Sequence, residues 1–264
     1  MKSSTPLKQH VISGLWLLLT VVGWPLLYWQ GKRVRKLALR LPEAAGRRNG
    51  ISGSGEPLRL LICGDSAAAG VGVSEQQQAL SGQLVALLAE RYQVTWQLAA
   101  KTGLDSPGLN TLLQQLYSHK NAVYPLDLVV VSIGVNDVTA LRNKAEFQQQ
   151  ISTLLTRLTT DFTNPQVLFS AIPPMQHFTA LPSPLNIWLG LKAAMLNQAL
   201  ANELKNWPKA QLVSSKQALT PDILATDGFH PSAKGHLIWA QLLLDAFYSA
   251  HLTDSQQPCG ILRP

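Results

Sequence analysis

The sequence predicts an α/β fold, a three-layer α/β/α sandwich with a five-stranded parallel sheet, preceded by an N-terminal transmembrane helix. Two observations predict the sandwich. After residue 58, apolar runs of strand length alternate with segments of helical period. Residues 128–131 are apolar without alternation, which is typical of a parallel strand covered on both faces. The uncharged residues 11–29 predict the transmembrane helix.

The predicted strands and helices alternate along the chain, as a doubly wound sheet requires. Ligands of such sheets bind at the carboxyl ends of the strands. The strands are expected at residues 58–63, 94–99, 126–133, 167–172 and 210–213. The helices are expected at residues 78–91, 109–118, 145–161, 185–207 and 233–248.

Charge is distributed unevenly along the 264 residues, whose formal net charge is +7. Nine of the 22 basic residues but only one of the 15 acidic residues lie within residues 1–48. The remainder is nearly neutral and has no basic stripe of the kind that binding to a phosphate backbone requires. We therefore expect no nucleic-acid partner.

Residues 11–29 form an apolar segment long enough to cross a bilayer. Its 19 residues extend about 28 Å as a helix, close to the thickness of the hydrocarbon core. Trp24, Tyr28 and Trp29 lie near its C-terminal end, where aromatic rings favour the headgroup region. Basic residues follow it instead of a small-residue cleavage site. We predict an uncleaved membrane anchor; a signal peptide and an in-plane interfacial helix are the alternatives.

The charges beside this segment predict its orientation. Two basic residues precede it and five follow within a dozen residues, so the positive-inside rule places the C-terminal side in the cytoplasm. The chain then divides into a tail (1–10), the anchor (11–29), a basic juxtamembrane segment with a Gly/Ser-rich linker (30–56), a catalytic domain (57–250) and a C-terminal tail (251–264). A chain that begins near Pro57 is expected to be soluble and active. The two cysteines indicate no disulfide framework.

Three short polar blocks follow the first three strands. Gly64-Asp65-Ser66 follows the first, Gly103 the second, and Gly134-Val135-Asn136-Asp137 the third. All three blocks are expected at one edge of the sheet. Each block alone is ordinary turn or helix-cap chemistry, and we expect Asp65 and Asp137 to be structural.

A fourth block changes this interpretation. In Asp227-Gly228-Phe229-His230 a carboxylate precedes a histidine by three residues, ahead of the last predicted helix. The carboxylate can accept from one ring nitrogen while the other nitrogen faces a nucleophile, which is the arrangement of a serine hydrolase.

Together the four blocks resemble those of the SGNH hydrolases of the GDSL esterase/lipase superfamily, over about residues 58–248. The resemblance implies a flavodoxin-like sandwich and hydrolysis of acyl esters or related acyl groups without a cofactor or metal. It implies that Ser66 is the nucleophile, His230 the general base and Asp227 its partner. It also implies an oxyanion hole made by the N–H groups of Ser66 and Gly103 and the side chain of Asn136. Ala67 stands where the family often has leucine, which affects the pocket rather than proton transfer.

The substrate is less constrained by the sequence. The proline-rich, apolar residues 173–185 could form the wall of an acyl pocket or pack over the sheet edge with Trp188 in the core. An anchor beside the bilayer favours a lipid-like acyl ester over other small esters. An acyltransferase with the same triad and a catalytically silent membrane-anchored interaction module are the alternative functions. The sequence indicates nothing about the oligomeric state.

Overall fold

The apolar runs form a sheet of six strands that carries helices on both faces. The computed structural model describes residues 6–117, 125–214 and 220–254. The strands are β1 (Asn49–Ser52), β2 (Glu56–Gly64), β3 (Tyr92–Ala100), β4 (Leu128–Ser132), β5 (Gln166–Ser170) and β6 (Ala210–Val213). The helices are α1 (Pro6–Leu37), α2 (Leu80–Ala89), α3 (Ser106–Tyr117), α4 (Val135–Thr139), α5 (Lys144–Asp161), α6 (Leu185–Leu204) and α7 (Ala233–Asp254).

The strand order is β1-β3-β2-β4-β5-β6. Strands β2 to β6 are parallel, and β1 pairs antiparallel with β3 at one edge. The carboxyl ends of the parallel strands therefore meet along one edge of the sheet, and the connections that leave this edge carry the polar blocks.

The central strands β4 and β5, and the second half of β2, are buried on both faces, whereas the edge strand β6 is only partly buried. In β2, Leu60 and Ile62 pack with α2 and α7, whereas Leu61 and Cys63 pack with α3, α5 and α6. This two-sided burial explains why the strands lack an apolar–polar alternation. The structure is the predicted three-layer sandwich.

The sheet has six strands rather than five, because β1 lies within the segment predicted as a linker. Gly50 pairs with Trp96 of β3, and Ile51 pairs with Thr95. The strand contains a single large apolar residue between glycine- and serine-rich flanks, so it has no apolar run that a sequence pattern could detect. Backbone pairing with β3 holds it in place instead.

Helix α1 is longer than the predicted span and is not separate from the domain. Its residues 10–37 are long enough to cross a membrane and contain an 18-residue window with a mean hydropathy of 1.8, criteria that a signal sequence near an N-terminus also meets. One face packs against α6, where Leu27 and Gln30 are buried. The opposite face is exposed and apolar.

Candidate active site

Ser66 lies in the connection that leaves the carboxyl end of β2. The N–H of Asp65 donates to the carbonyl of Ser132 at the end of β4, at 3.1 Å, which ties this connection to the neighbouring strand. The side chain of Asp65 turns back and accepts from the N–H of Ala67 at 3.1 Å. These bonds leave the Ser66 side chain facing the turn that precedes α7.

His230 and Asp227 lie on that turn and complete a chain of contacts to Ser66. His230 Nε2 is 2.9 Å from Ser66 Oγ, and His230 Nδ1 is 2.6 Å from Asp227 Oδ2. The other oxygen of Asp227 accepts from the N–H groups of Phe229 and His230 at 2.9 and 3.0 Å. The carboxylate therefore fixes both the backbone turn and the imidazole orientation.

Glycine is required between these two residues. Gly228 has φ +65°, and a Cβ atom there would lie 2.3 Å from Thr179 Oγ1. A side chain would thus collide with the loop that precedes α6 and strain the backbone. This close approach places that loop directly against the turn that carries Asp227 and His230.

The Asp227 carboxylate is held in its charged form. Its side chain is only 4% exposed. Burial alone would raise the pKa of Asp227, but hydrogen bonds from His230 and from the N–H of Phe229 hold the pKa below its usual value. An ionised Asp227 is suited to stabilise a positive charge on His230.

Gly103 and Asn136 are brought together on the connections after β3 and β4. Asn136 Nδ2 donates to the carbonyl of Leu104 at 2.7 Å, which leaves its second amide hydrogen for another acceptor. Gly103 has φ +85°, and the space where its Cβ would stand is open. The N–H groups of Ser66 and Gly103 donate to no other backbone group in the described part of the chain.

A pocket of about 390 Å³ opens beside Ser66 and His230. Its walls come from the carboxyl ends of β4 to β6, one face of α6, the first turns of α7 and the loop that precedes α6. The lining is mostly apolar and includes Ile133, Ile172, Phe178, Phe229, Ile238 and Leu242. The loop thus forms a pocket wall, while Trp188 is buried on the other side of α6. The structure thus has one feature of each alternative for residues 173–188, and an acyl role of the pocket stays a prediction.

Residues 62–238 match the GDSL-like Lipase/Acylhydrolase family. The chain belongs to this family. Its members hydrolyse carboxylic esters, and the protein is an ester hydrolase of the GDSL type.

Individual relatives agree with this family assignment. The GDSL-like esterase Rv1075c of Mycobacterium tuberculosis is 28% identical, and the match covers 78% of this chain and 70% of the relative. The lipase Lip_vut3 from a goat rumen metagenome has a TM-score of 0.58 at 16% identity, over 72% of this chain and 97% of the other. The psychrotrophic esterase EstA from Pseudoalteromonas sp. has a TM-score of 0.54 at 19% identity, with the same two coverages. These two structures share the fold of this GDSL domain.

A buried ionic network behind the GDSL site was not foreseen in the sequence. Asp137 is fully buried and accepts from the N–H and hydroxyl of Ser106, at 3.0 and 2.6 Å. Arg142 Nε donates to Asp137 at 2.7 Å, and its Nη2 donates to Asp105 at 2.6 Å. Burial raises the pKa of Asp137, which these bonds only partly counteract. The network joins the segments that carry Gly103 and Asn136, but the spacing of its members matches no recurrent motif.

Two more buried ionisable side chains flank the site. Burial raises the pKa of Asp65 to about 7, and the nearby Asp137 carboxylate contributes in the same direction. His236 on α7 is fully buried and stacks on Trp239, and burial lowers its pKa to about 4. Within residues 6–117, 125–214 and 220–254, no cluster of three or more His, Cys, Asp or Glu side chains could hold a metal ion.

Proposed function

We propose that the protein is a serine esterase that hydrolyses acyl esters through Ser66, His230 and Asp227. The observation that carries the proposal is the pair of short contacts on either side of the His230 ring, 2.9 Å to Ser66 and 2.6 Å to Asp227. A hydroxyl, an imidazole and a carboxylate in this order form a base-activated nucleophile.

In the proposed reaction, Ser66 Oγ attacks the ester carbonyl as its proton moves to His230 Nε2. Asp227 stabilises the resulting imidazolium without taking the proton. The tetrahedral intermediate then expels the alcohol, which receives the proton from His230. Water subsequently attacks the acyl-enzyme with His230 as base, and the acid and free Ser66 are released.

The oxyanion of both tetrahedral intermediates requires preorganised donors. We assign this role to the N–H groups of Ser66 and Gly103 and to Asn136 Nδ2. The absence of a backbone acceptor for the two N–H groups in the described residues supports this assignment, as does the hydrogen bond that fixes the Asn136 amide on Leu104.

The substrate that fits the pocket is an ester with an apolar acyl chain. Few charged groups line the pocket, and apolar side chains cover most of its walls. A lipid-like ester agrees with this lining and with the exposed apolar face of α1.

A serine-directed fluorophosphonate tests the nucleophile. We expect covalent labelling of the wild type at Ser66 and the loss of both labelling and ester turnover in Ser66→Ala. Ser74→Ala, which changes an exposed serine in the same connection between β2 and α2, is the matched control and should retain both. Labelling at another serine would contradict the assignment, and no labelling would favour the silent module. Faster acyl transfer to an added alcohol than to water would identify an acyltransferase.

We also propose that the exposed apolar face of α1 attaches the protein to a membrane, with the catalytic domain on the cytoplasmic side. The basic residues Lys32, Arg33, Arg35 and Lys36 after the apolar segment support this orientation, because the anionic cytoplasmic leaflet attracts basic residues beside a membrane-attached segment. Lys32 and Arg33 lie over the rings of Tyr28 and Trp29, at 5.1 and 5.3 Å from the ring centroids.

A reporter fused after Pro264 tests this topology, together with a high-salt wash of isolated membranes. A cytoplasmic reporter signal and retention in the membrane fraction are expected. A periplasmic signal would reverse the orientation, and a mature N-terminus close to residue 46 would identify a signal peptide.

A further inference from the structure

One face of α1 is part of the catalytic domain. Trp16, Leu19, Leu27 and Val34 pack against the core at intervals of three to eight residues, which places them on one side of the helix. Leu27 is 3% exposed, whereas Val22 on the opposite side is 74% exposed. The helix therefore has a docked face and an outer face although both are apolar.

Gln30 is the polar centre of the docked face and holds the start of α6. Its Nε2 donates to the carbonyl of Ser183 at 2.8 Å, and its Oε1 accepts from the N–H of Leu185 at 3.2 Å. The residue before α6 is Pro184, which offers no side-chain cap. Gln30 thus caps a helix more than 150 residues away in sequence, and it is only 7% exposed.

A second group of contacts locks the same two helices together. Trp188 Nε1 donates to Thr20 Oγ1 at 2.7 Å, and the rings of Trp16 and Trp188 stack with centroids 5.7 Å apart and planes at 8°. The Lys192 ammonium lies 5.3 Å from the centroid of the Trp16 ring. These contacts fix the docking angle of α1 along the first two turns of α6.

The peptide held by Gln30 continues into the wall of the acyl pocket. Asn186, in the first turn of α6, donates through Nδ2 to the carbonyl of Gln176 at 2.9 Å. Gly190 allows the Gln176 side chain to approach, since a Cβ there would lie 2.4 Å from Gln176 Oε1. Gln176 and Phe178 both line the pocket.

The other end of this wall contacts the catalytic turn. The rings of Phe178 and Phe229 have centroids 4.7 Å apart, and the N–H of Ala180 donates to the carbonyl of Gly228 at 3.2 Å. The loop of residues 173–184 is therefore held between Gln30 on one side and the turn that carries His230 on the other.

We propose that Gln30 is a positioning residue for the acyl pocket, because it joins α1 to the loop and helix that form the pocket wall. This inference rests on the proposed esterase function and adds that α1 is a working part of the catalytic domain. Substrates whose acyl chain reaches the wall depend on Gln30, and an acetyl ester, which ends near Ser66, does not.

The test compares p-nitrophenyl acetate with p-nitrophenyl octanoate on the full chain in detergent micelles. Gln30→Leu removes both hydrogen bonds. We expect it to raise the KM for the octanoate about tenfold, because a displaced pocket wall no longer holds the octanoyl group in its binding position. The kcat/KM for the acetate should stay within about twofold, since the reacting groups are unchanged. Gln30→Glu can still accept from the N–H of Leu185 and should give an intermediate KM. Val22→Ala on the outer face is the control and should leave both esters unaffected.

Equal losses for the two esters, or no change for either, would overturn the proposal. If Gln30→Leu does not fold, Thr20→Val provides the test, because it removes the acceptor of Trp188 and otherwise only a hydrogen bond within α1, to the Trp16 carbonyl. The same selective rise in KM, though smaller, is expected. Fluorophosphonate labelling of each variant separates the two hypotheses. A wild type without labelling refutes the esterase function, whereas normal labelling with unchanged chain-length preference refutes only the role of Gln30.

Discussion

Two regions support the proposed acyl pocket and differ in what stabilises them. At the catalytic edge, buried carboxylates make short polar contacts, as in Asp137 with Arg142 and Asp227 with His230. Along the seam between α1 and α6, neutral hydrogen bonds from Gln30 and Thr20 lie among apolar and aromatic contacts. Buried charge makes a region sensitive to the loss of one partner, while a seam of many weak contacts is sensitive to the loss of the whole element.

Deletion of the N-terminal residues tests the seam and carries the largest expected effect. A chain that begins at Pro57 lacks α1 and β1, so it exposes Trp188 and Leu185 and leaves the β3 edge unpaired. We expect it to be aggregated or unfolded by circular dichroism and gel filtration, unlike the soluble active fragment that the linker interpretation predicts.

A chain that begins at Arg40 is the matched comparison, since it lacks α1 but keeps β1. The thermal unfolding midpoint of the Arg40 chain is expected to lie below that of the full chain, and the Pro57 chain is expected to show no cooperative unfolding transition. A soluble, active Pro57 chain with the midpoint of the full protein would mean that the seam contributes no stability.

The contrast between the catalytic edge and the seam also explains why the sequence predicts the residues of the edge but not those of the seam. Ser66, Gly103, Asn136, Asp227 and His230 each follow a strand or precede a helix, where a polar residue is conspicuous beside an apolar run. Trp16, Leu19 and Leu27 gave no such signal. In a helix that is apolar on all sides, residues that face protein and residues that face lipid have the same composition.

The partners of the site were hidden for a different reason. Ser106 contacts Asp137 from a separate connection, and only the fold brings the two within hydrogen-bond distance. Arg142 follows Asp137 by five residues, a spacing that matches no recurrent motif. Strand β1 was missed because it is held by backbone pairing, to which its side chains contribute little.

Arg142→Met tests the sensitivity of the catalytic edge to an unpaired charge. Removal of the Arg142 guanidinium leaves the fully buried Asp137 without its cationic partner. This loss should lower the free energy of unfolding by about 3 kcal/mol. Urea unfolding measures the change. Arg157→Met, which removes an arginine hydrogen-bonded to Gln114 at the surface, should have little effect. Addition of Asp137→Asn to Arg142→Met should recover part of the loss, and a loss as small as that of Arg157→Met would show that the network is not stabilising.

Asn136→Ala tests catalysis at the same edge. If its amide stabilises the oxyanion, kcat should fall about 100-fold while KM changes little, because the contact strengthens in the transition state. Steady-state kinetics with the acetyl ester, which does not reach the α1-supported wall, isolates this effect from the seam. A proportional rise in KM with unchanged kcat would instead assign Asn136 to holding the Leu104 carbonyl and the loop around it.

Asp65→Asn tests buried charge at the catalytic edge and has the smallest expected effect. The effect of the substitution on stability, relative to the wild type, depends on pH. Burial raises the pKa of Asp65 to about 7 in the folded protein. The folded state therefore binds this proton more tightly than the unfolded state, whose carboxyl has a pKa of about 4. The stabilisation of the folded state by this proton is complete below about pH 4 and is lost as the pH rises through about 7. Asparagine can still accept from the N–H of Ala67 but cannot ionise.

The midpoint of the variant should consequently rise relative to that of the wild type as the pH increases from 5 to 8, by a few degrees at most. The lowered pKa of His236 destabilises the fold on the acid side in both proteins, so it cancels in this difference. Asp161→Asn, at an exposed position at the end of α5, is the control and should run parallel to the wild type. If the midpoint of Asp65→Asn also changes with pH in parallel to that of the wild type, Asp65 is ionised in the folded protein throughout this range. The catalytic edge then tolerates one more buried charge than its contacts suggest.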